Sequence, residues 1–221
     1  MVPRELLAVF DGATEPAANL AAEERLFELV QRGELSDLVR FWRNSTCLVK
    51  GRAKSKNYGW YDERLAARLG VPVYERSTGG GVVYMDLGNL NWSFFAKAST
   101  GLTSPTALFE RWSGPVVRAL RGAGFDASFA RPNRLDVSGR KVSGMAARIA
   151  RGALLVHGTL LVDADLRRLN SLCIPPPGCP PVANLREWSS EVGVDGVERR
   201  LLVELRLSGY EVRETRTLPP T

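Results

Sequence analysis

The stretch from Glu75 through Arg76-Ser77-Thr78-Gly79-Gly80-Gly81-Val82-Val83-Tyr84-Met85-Asp86-Leu87-Gly88 to Asn89 limits what this chain can be. A β-rich run over residues 71–74 leads into it and another, Asn91 to Phe95, leads out. Three successive glycines suit a strand interior poorly, because they lose the most backbone entropy on folding. They suit a segment with unusual dihedrals, or one whose bare backbone a ligand approaches. Exposed N–H groups beside Arg76 would match an anion such as a phosphate or carboxylate. A glycine-rich hairpin loop accounts for the same residues equally well. The pattern is neither GxGxxG nor a P-loop, so the usual dinucleotide and NTP motifs do not apply.

At 221 residues the chain suits one large domain or two small ones, with room for a substantial core. Its 44% hydrophobic and 24% charged composition argues against global disorder. No apolar run reaches the length of a membrane span and no charged-then-apolar leader opens the chain, so a cytoplasmic protein without membrane contact is expected. Cys47, Cys173 and Cys179 have neither CxxC nor zinc-finger spacing, and their odd count does not make a secreted disulfide framework. His157 is the single histidine, which excludes a multi-histidine metal site; no protein metal ligands are assigned. The net charge of +6 suits nucleic acid or an acidic protein partner alike. With no dense basic tract and no nucleic-acid motif, no nucleic acid is expected.

Residues 4–10 read as a strand. Residues 16–32 read as a helix with Leu20, Ala21, Leu26, Phe27 and Val30 near one face and Gly33 as its stop. Short strands at 38–43 and 46–50 flank a turn at Asn44-Ser45. A basic loop over 51–57 carries Arg52, Lys54 and Lys56, and a helix is expected at 61–69. Residues 96–103 read as a mobile loop. Ser104-Pro105 opens a helix with a serine cap and a first-turn proline. Leu108, Trp112, Val116 and Leu120 stripe it, and Gly114-Pro115 predicts a kink or a split. Strands follow at 127–130, 135–137, 142–149 and 153–162, then a short helix at 165–172. A proline-rich, irregular connection at 173–181, a helix at 196–206 and a strand at 210–214 complete the chain. Strands often come in pairs, which predicts an α+β fold with a mixed, largely antiparallel sheet and packed helices.

A second informative region is Asn133 to Ala146, followed by Leu155 to Leu161. Gly139-Arg140 reads as a tight turn that projects Lys141 at the start of a strand, and Gly144 permits close backbone approach. Taken singly, Lys141 reads as a solvated surface lysine and His157 as a core histidine.

Taken together, Arg76 to Asn91, Gly139 to Ala146 and His157 to Leu161 resemble the lipoate–protein ligase A family of the biotin/lipoate protein ligase superfamily. Asn19-Leu20-Ala21, Trp42-Arg43-Asn44, Gly51-Arg52 and Asp165-Leu166 extend the likeness. It implies a single catalytic domain over 1–221, of the biotin ligase and class II aminoacyl-tRNA synthetase type. It also implies an enzyme that activates lipoate with ATP, with Mg2+ expected, and transfers it to a lysine of an acceptor. By motif, Arg76, Gly79, Gly80, Gly81, Val82, Val83, Tyr84, Asn133 and Lys141 would bind ATP or lipoyl-adenylate. Gly80, Lys141, Gly144, Ala146, His157, Gly158 and Thr159 would hold the lipoyl group, and Lys141 would be catalytic. The implied partners are lipoyl-domain proteins of 2-oxoacid dehydrogenase or glycine cleavage systems.

The chain departs from the family at Met85 (usually histidine), Glu75 (often arginine), Lys54 (usually glutamine) and Arg134 (often an aspartate able to help bind a metal). All four bear on the nucleotide side. The residues after Trp188 are too few for the extra C-terminal domain of many such ligases, so a separate accessory subunit for adenylation is expected. Two alternatives share the fold: an octanoyl or lipoyl transferase with Cys173 as nucleophile, and a non-catalytic relative.

Overall fold

The computed structural model describes residues 4–52, 59–98 and 104–219. Lys54, Lys56 and most of the expected loop at 96–103 lie outside the described residues. The first half of the chain runs β1 (Arg4–Phe10), α1 (Pro16–Arg32), β2 (Leu38–Trp42), β3 (Cys47–Lys50), β4 (Trp60–Tyr61), α2 (Glu63–Arg68), β5 (Val73–Glu75), β6 (Val82–Met85) and β7 (Asn89–Lys97). The second half runs α3 (Pro105–Gly122), β8 (Ala127–Ala130), β9 (Arg134–Val137), β10 (Arg140–Ala150), β11 (Ala153–Leu161), α4 (Leu166–Leu172), β12 (Cys173–Ile174), α5 (Val194–Leu207) and β13 (Tyr210–Thr215).

Eight strands form the main sheet in the order β13-β1-β2-β7-β11-β10-β9-β8. Only β1 pairs in parallel, with β13 and with β2; the remaining pairs are antiparallel. A second sheet, β5-β3-β6, carries the segments before and after the three glycines, and β12 pairs with β4. The expected α+β class with a mixed, largely antiparallel sheet is what the chain adopts.

The two faces of the main sheet have different chemistry, set by the period-two alternation of its strands. Leu90, Trp92, Phe94 and Ala96 of β7, with Leu154, Val156 and Leu160 of β11, join Trp112, Val116 and Leu120 of α3 and Leu201 and Leu205 of α5 in one large core. Each fully buried aromatic or leucine there contributes about 1.5–3 kcal/mol. The opposite face is apolar at one end, where Phe95 and Leu155 meet Leu26, Phe27 and Val30 of α1, and again at Trp42, which packs on Cys47, Val49 and Met85. The rest of that face is polar, and it is where the site lies.

Several local features differ from expectation. Helix α3 runs unbroken through Pro115, because Trp112, Val116, Val117 and Leu120 around it are buried against the sheet. Tertiary packing therefore offsets the lost hydrogen bond. On α1, Ala21 is exposed and the buried face is instead Asn19, Ala22, Glu23, Leu26, Phe27 and Val30. The helix is capped by the Glu15 carboxylate, which accepts from the Ala17 and Ala18 N–H groups. The two-residue pair β4–β12 was too short to carry a sequence signal.

Candidate active site

Two rows of side chains cross the polar face of the main sheet. In the first, Gly144 of β10 lies opposite Thr159 of β11, Thr159 opposite Asn91 of β7, and Asn91 opposite Trp42 of β2. In the second, Ala146 faces His157, His157 faces Ser93 and Ser93 faces Arg40. Both rows exist because Trp92, Phe94, Val156 and Leu160, the alternate residues, are claimed by the core beneath. At the edge of the first row the Lys141 side chain lies over Gly144: a methyl group there would sit 3.5 Å from both Cε and Nζ. Glycine at 144 thus leaves room for the ammonium on the floor of the site.

The second row is held by a chain of hydrogen bonds reaching in from other elements. Trp42 Nε1–H donates to Ser93 Oγ at 2.9 Å, and the Ser93 hydroxyl donates to Glu23 of α1. Glu23 accepts from His157 Nδ1–H at 3.0 and 3.2 Å. His157 Nε2 meets Thr78 Oγ1 at 2.8 Å, and Thr78 in turn accepts from Arg76 Nε at 2.9 Å. With Nδ1–H on the carboxylate, Nε2 of a neutral ring accepts from the Thr78 hydroxyl, whereas Nε2–H of a protonated ring donates to Thr78 Oγ1. Burial alone would raise the Glu23 carboxyl, but the His157 charge and hydrogen bond, the Ser93 hydroxyl and Arg40 outweigh it and hold Glu23 below its usual range. Helix α1 is aimed by Arg40, fully buried, which bonds Asp11 at 2.6 and 3.0 Å and the Asn19 carbonyl at 2.9 Å.

Each glycine of the loop has its own reason. Gly80 has φ +96°, a conformation that side chains rarely adopt. Gly81 packs so closely on Gly59 that a methyl would lie 2.4 Å from its carbonyl oxygen, and Gly51 stands 2.3 Å by the same measure from the Gly80 oxygen. Gly79 faces open space. The loop was expected to present Arg76 to a phosphate; the structure gives Arg76 another task. Its guanidinium, 7% exposed, donates to the carbonyls of Val49, Gly79 and Gly81 at 2.8–3.0 Å, besides Thr78. Burial pushes it down to about 10, offset in part by Glu23, so it stays charged at neutral pH and organises the loop from within.

The other expected residues divide in the same way. The Lys141 backbone is pinned to residues after the proline-rich stretch, donating to the Pro181 carbonyl and accepting from the Ala183 N–H, both at 2.9 Å. The Asn133 amide donates to the Met145 carbonyl at 2.7 Å, which fixes its side chain beside β10. Gly158 belongs to the core face, where a methyl would strike the Trp92 ring at 2.5 Å, so its glycine serves packing and only its backbone borders the site. Val82 and Tyr84 turn toward Leu48, Ala66, Val71 and Leu172, while Val83 and Met85 turn toward Trp42, Cys47 and Val49. Met85 accepts from the Asn44 amide at 3.2 Å and is 5% exposed, which makes it part of this apolar cluster. The Cys173 thiol feels the Lys141 charge, yet burial pushes it up to about 11, a resting thiol rather than a thiolate.

Glu23, Thr78 and Ser93 are not among the site residues expected from the sequence. Glu23 had a signal: a carboxylate on the otherwise apolar face of α1, one turn after Asn19. A cavity of about 200 Å³ between α1 and residues 75–77 is lined by Glu23 and Arg76 together. A larger one, about 520 Å³ at the start of α5, touches none of the residues in the two rows.

The family described as lipoyl protein ligase A/B catalytic domain matches residues 15–206. A lipoate-protein ligase of Bacillus subtilis is 33% identical over 155 residues, covering 69% of this chain and 44% of the relative. A lipoate-protein ligase A of Psychrobacter cryohalolentis is 30% identical over 168 residues, covering 74% and 46%. The chain spans about half the length of the curated relatives it matches. Among solved structures, a lipoate-protein ligase A bound with ATP aligns with TM-score 0.83 and 25% identity, over 97% of this chain and 89% of that one. A bi-partite lipoate protein ligase from Thermoplasma acidophilum, described with its E2 lipoyl domain, aligns with TM-score 0.81 and 24% identity, over 97% and 88%.

Proposed function

We propose, from the premise that this chain belongs to the lipoyl protein ligase A/B catalytic domain family, that it is the catalytic domain of an ATP-dependent lipoate–protein ligase. It forms or receives lipoyl-adenylate and passes the lipoyl group to a lysine of an acceptor lipoyl domain. The observation that carries this reading is the Lys141 ammonium over Gly144, one row from a buried imidazole fixed on both nitrogens.

In the first half-reaction a lipoate carboxylate oxygen attacks the α-phosphorus of ATP and pyrophosphate leaves. In the second, the neutral acceptor amine attacks the acyl carbonyl and AMP leaves. Negative charge grows on oxygens both times, and a fixed ammonium offsets it without moving. No covalent enzyme intermediate is needed. Ala146, His157 and Thr159 would border the acyl chain, each buried methylene contributing about 0.8 kcal/mol. The glycine loop would close over the adenylate with its backbone, shaped by Arg76 from behind. Among the described residues no group of three His, Cys, Asp or Glu side chains could hold a metal ion. Mg2+ would come with the ATP phosphates, which would supply part of its oxygen ligands.

The acceptors would be lipoyl-domain proteins of 2-oxoacid dehydrogenase or glycine cleavage systems, met in the cytoplasm without nucleic acid or membrane. No helix among the described residues is long and apolar enough to cross a membrane. The bi-partite neighbour supports a separate accessory subunit for the adenylation step. Pyrophosphate release from lipoate and ATP tests this: slow turnover by the chain alone and faster turnover with the accessory subunit are expected. Full-rate lipoylation by the chain alone contradicts the need for a subunit, and silence in both arms contradicts the ligase reading. Cys173→Ser is expected to keep acyl transfer, because its thiol rests protonated; loss of transfer would favour the acyl-enzyme alternative.

A further inference from the structure

We infer that Arg134 is a second phosphate-binding cation of this site, acting on the polyphosphate of ATP beside Lys141. The inference rests on the proposed ligase function and extends it. Arg134 lies directly opposite Gly144 across the β9–β10 pair, and Asp136 lies opposite Lys141. Opposed residues of an antiparallel pair project from the same face. Leu135 and Val137, the alternate residues of β9, are in the large core, so Arg134 and Asp136 stand on the polar face. The first row thus extends outward from Thr159 and Gly144 to a guanidinium, with the Lys141 ammonium lying over its glycine.

The fork of Arg134 is held for this task. Its Nε–H donates to both oxygens of Asp136, at 3.0 and 3.1 Å. Its two terminal nitrogens make no hydrogen bond among the described residues. The Arg134 side chain is 30% exposed and that of Asp136 is 9% exposed. A guanidinium anchored through one edge by a buried carboxylate presents its outer N–H groups in fixed directions, the geometry in which arginine grips phosphate oxygens. The same bond pairs the Asp136 carboxylate with a cation inside the protein. The more accessible member of the pair is the guanidinium, whose charge suits a phosphate. In the adenylation step the lipoate oxygen–phosphorus bond forms as the bond from the α-phosphorus to the bridging oxygen breaks. Its electron pair leaves with pyrophosphate, and Arg134 would bind the charge that accumulates there while Lys141 holds the carboxylate and α-phosphate side.

Arg134→Gln alone would strand the Asp136 carboxylate, so the working variant is Arg134→Gln/Asp136→Asn, an amide pair in place of the ion pair. Calorimetric titrations of this variant and the unmodified chain with ATP, pyrophosphate and lipoate separately, with thermal melts alongside, test the inference. ATP and pyrophosphate should bind the variant about 10- to 100-fold more weakly. Lipoate affinity and melting temperature should be unchanged, and Arg134→Lys should restore part of the loss. Unchanged ATP and pyrophosphate affinity overturns the inference alone. A parallel loss for lipoate also overturns it, since the pair would then be structural. An unmodified chain that binds neither lipoate nor ATP overturns the proposed function, and this inference with it.

Discussion

A buried hydrogen-bonded pair, Glu23 and His157, joins helix to sheet and gives the site its shape at the level of single residues. Glu23 is 3% exposed and lies between Ser93 and His157, so the imidazole is held on one nitrogen by α1 and on the other by the glycine loop. The folded state lowers the Glu23 carboxyl from its usual 4.5. The resulting stabilisation is fully present above pH 4.5 and is lost as the pH falls through the lowered value. Glu23→Gln should therefore flatten the acid limb of a stability–pH profile below about pH 4.5 and cost about 1–3 kcal/mol at neutral pH. Urea titrations across pH check this; an unchanged acid limb contradicts the pairing. Lys141 and His157 were legible in the sequence only as parts of motifs. Glu23 and Thr78 were not, because each reaches His157 from an element far away in the chain. Arg76 was legible as a cation beside glycines, but sequence could not show that the loop carbonyls would take its donors.

Among the elements, the glycine loop is defined by what lies behind it. Gly81 and Gly51 are crowded by main-chain atoms, whereas Gly79 is open. Gly81→Ala should destabilise the chain by about 1–3 kcal/mol or more, since backbone on both sides cannot yield cheaply. Gly79→Ala should leave the melting temperature nearly unchanged and weaken binding of lipoyl-adenylate, because only a ligand approaches there. Thermal melts of the two variants, with adenylate titration of the second, separate packing from ligand approach; equal melting losses would contradict the assignment. Long periodic elements such as α1, α3 and α5 were readable within a few residues. The continuity of α3 through Pro115 was not, since the compensation comes from sheet contacts that no local pattern encodes. Nor was β4–β12, two residues on each side.

For the whole molecule, the division of labour lies between the faces of one sheet. The α3/α5 face supplies an ordinary core, and the α1 face, which the three-stranded sheet meets at Trp42, supplies two polar rows and a lysine. The α+β class was predictable from paired strands and interspersed helices. Which strand lies beside which was not, since the order β2-β7-β11 brings residues 40, 93 and 157 into one row across long separations. Family membership covers residues 15–206, and the chain spans about half the length of the curated relatives it matches, so the proposed function is tested most directly at the step that needs only a pre-formed adenylate and an acceptor. The direct measurement supplies purified chain with pre-formed lipoyl-adenylate and an apo lipoyl domain, and follows the acceptor by intact mass. One lipoyl group per acceptor is expected, with Lys141→Ala slowing transfer by about 100-fold or more. An acceptor left unmodified by the folded chain, or a Lys141→Ala variant as fast as the unmodified protein, would contradict the account.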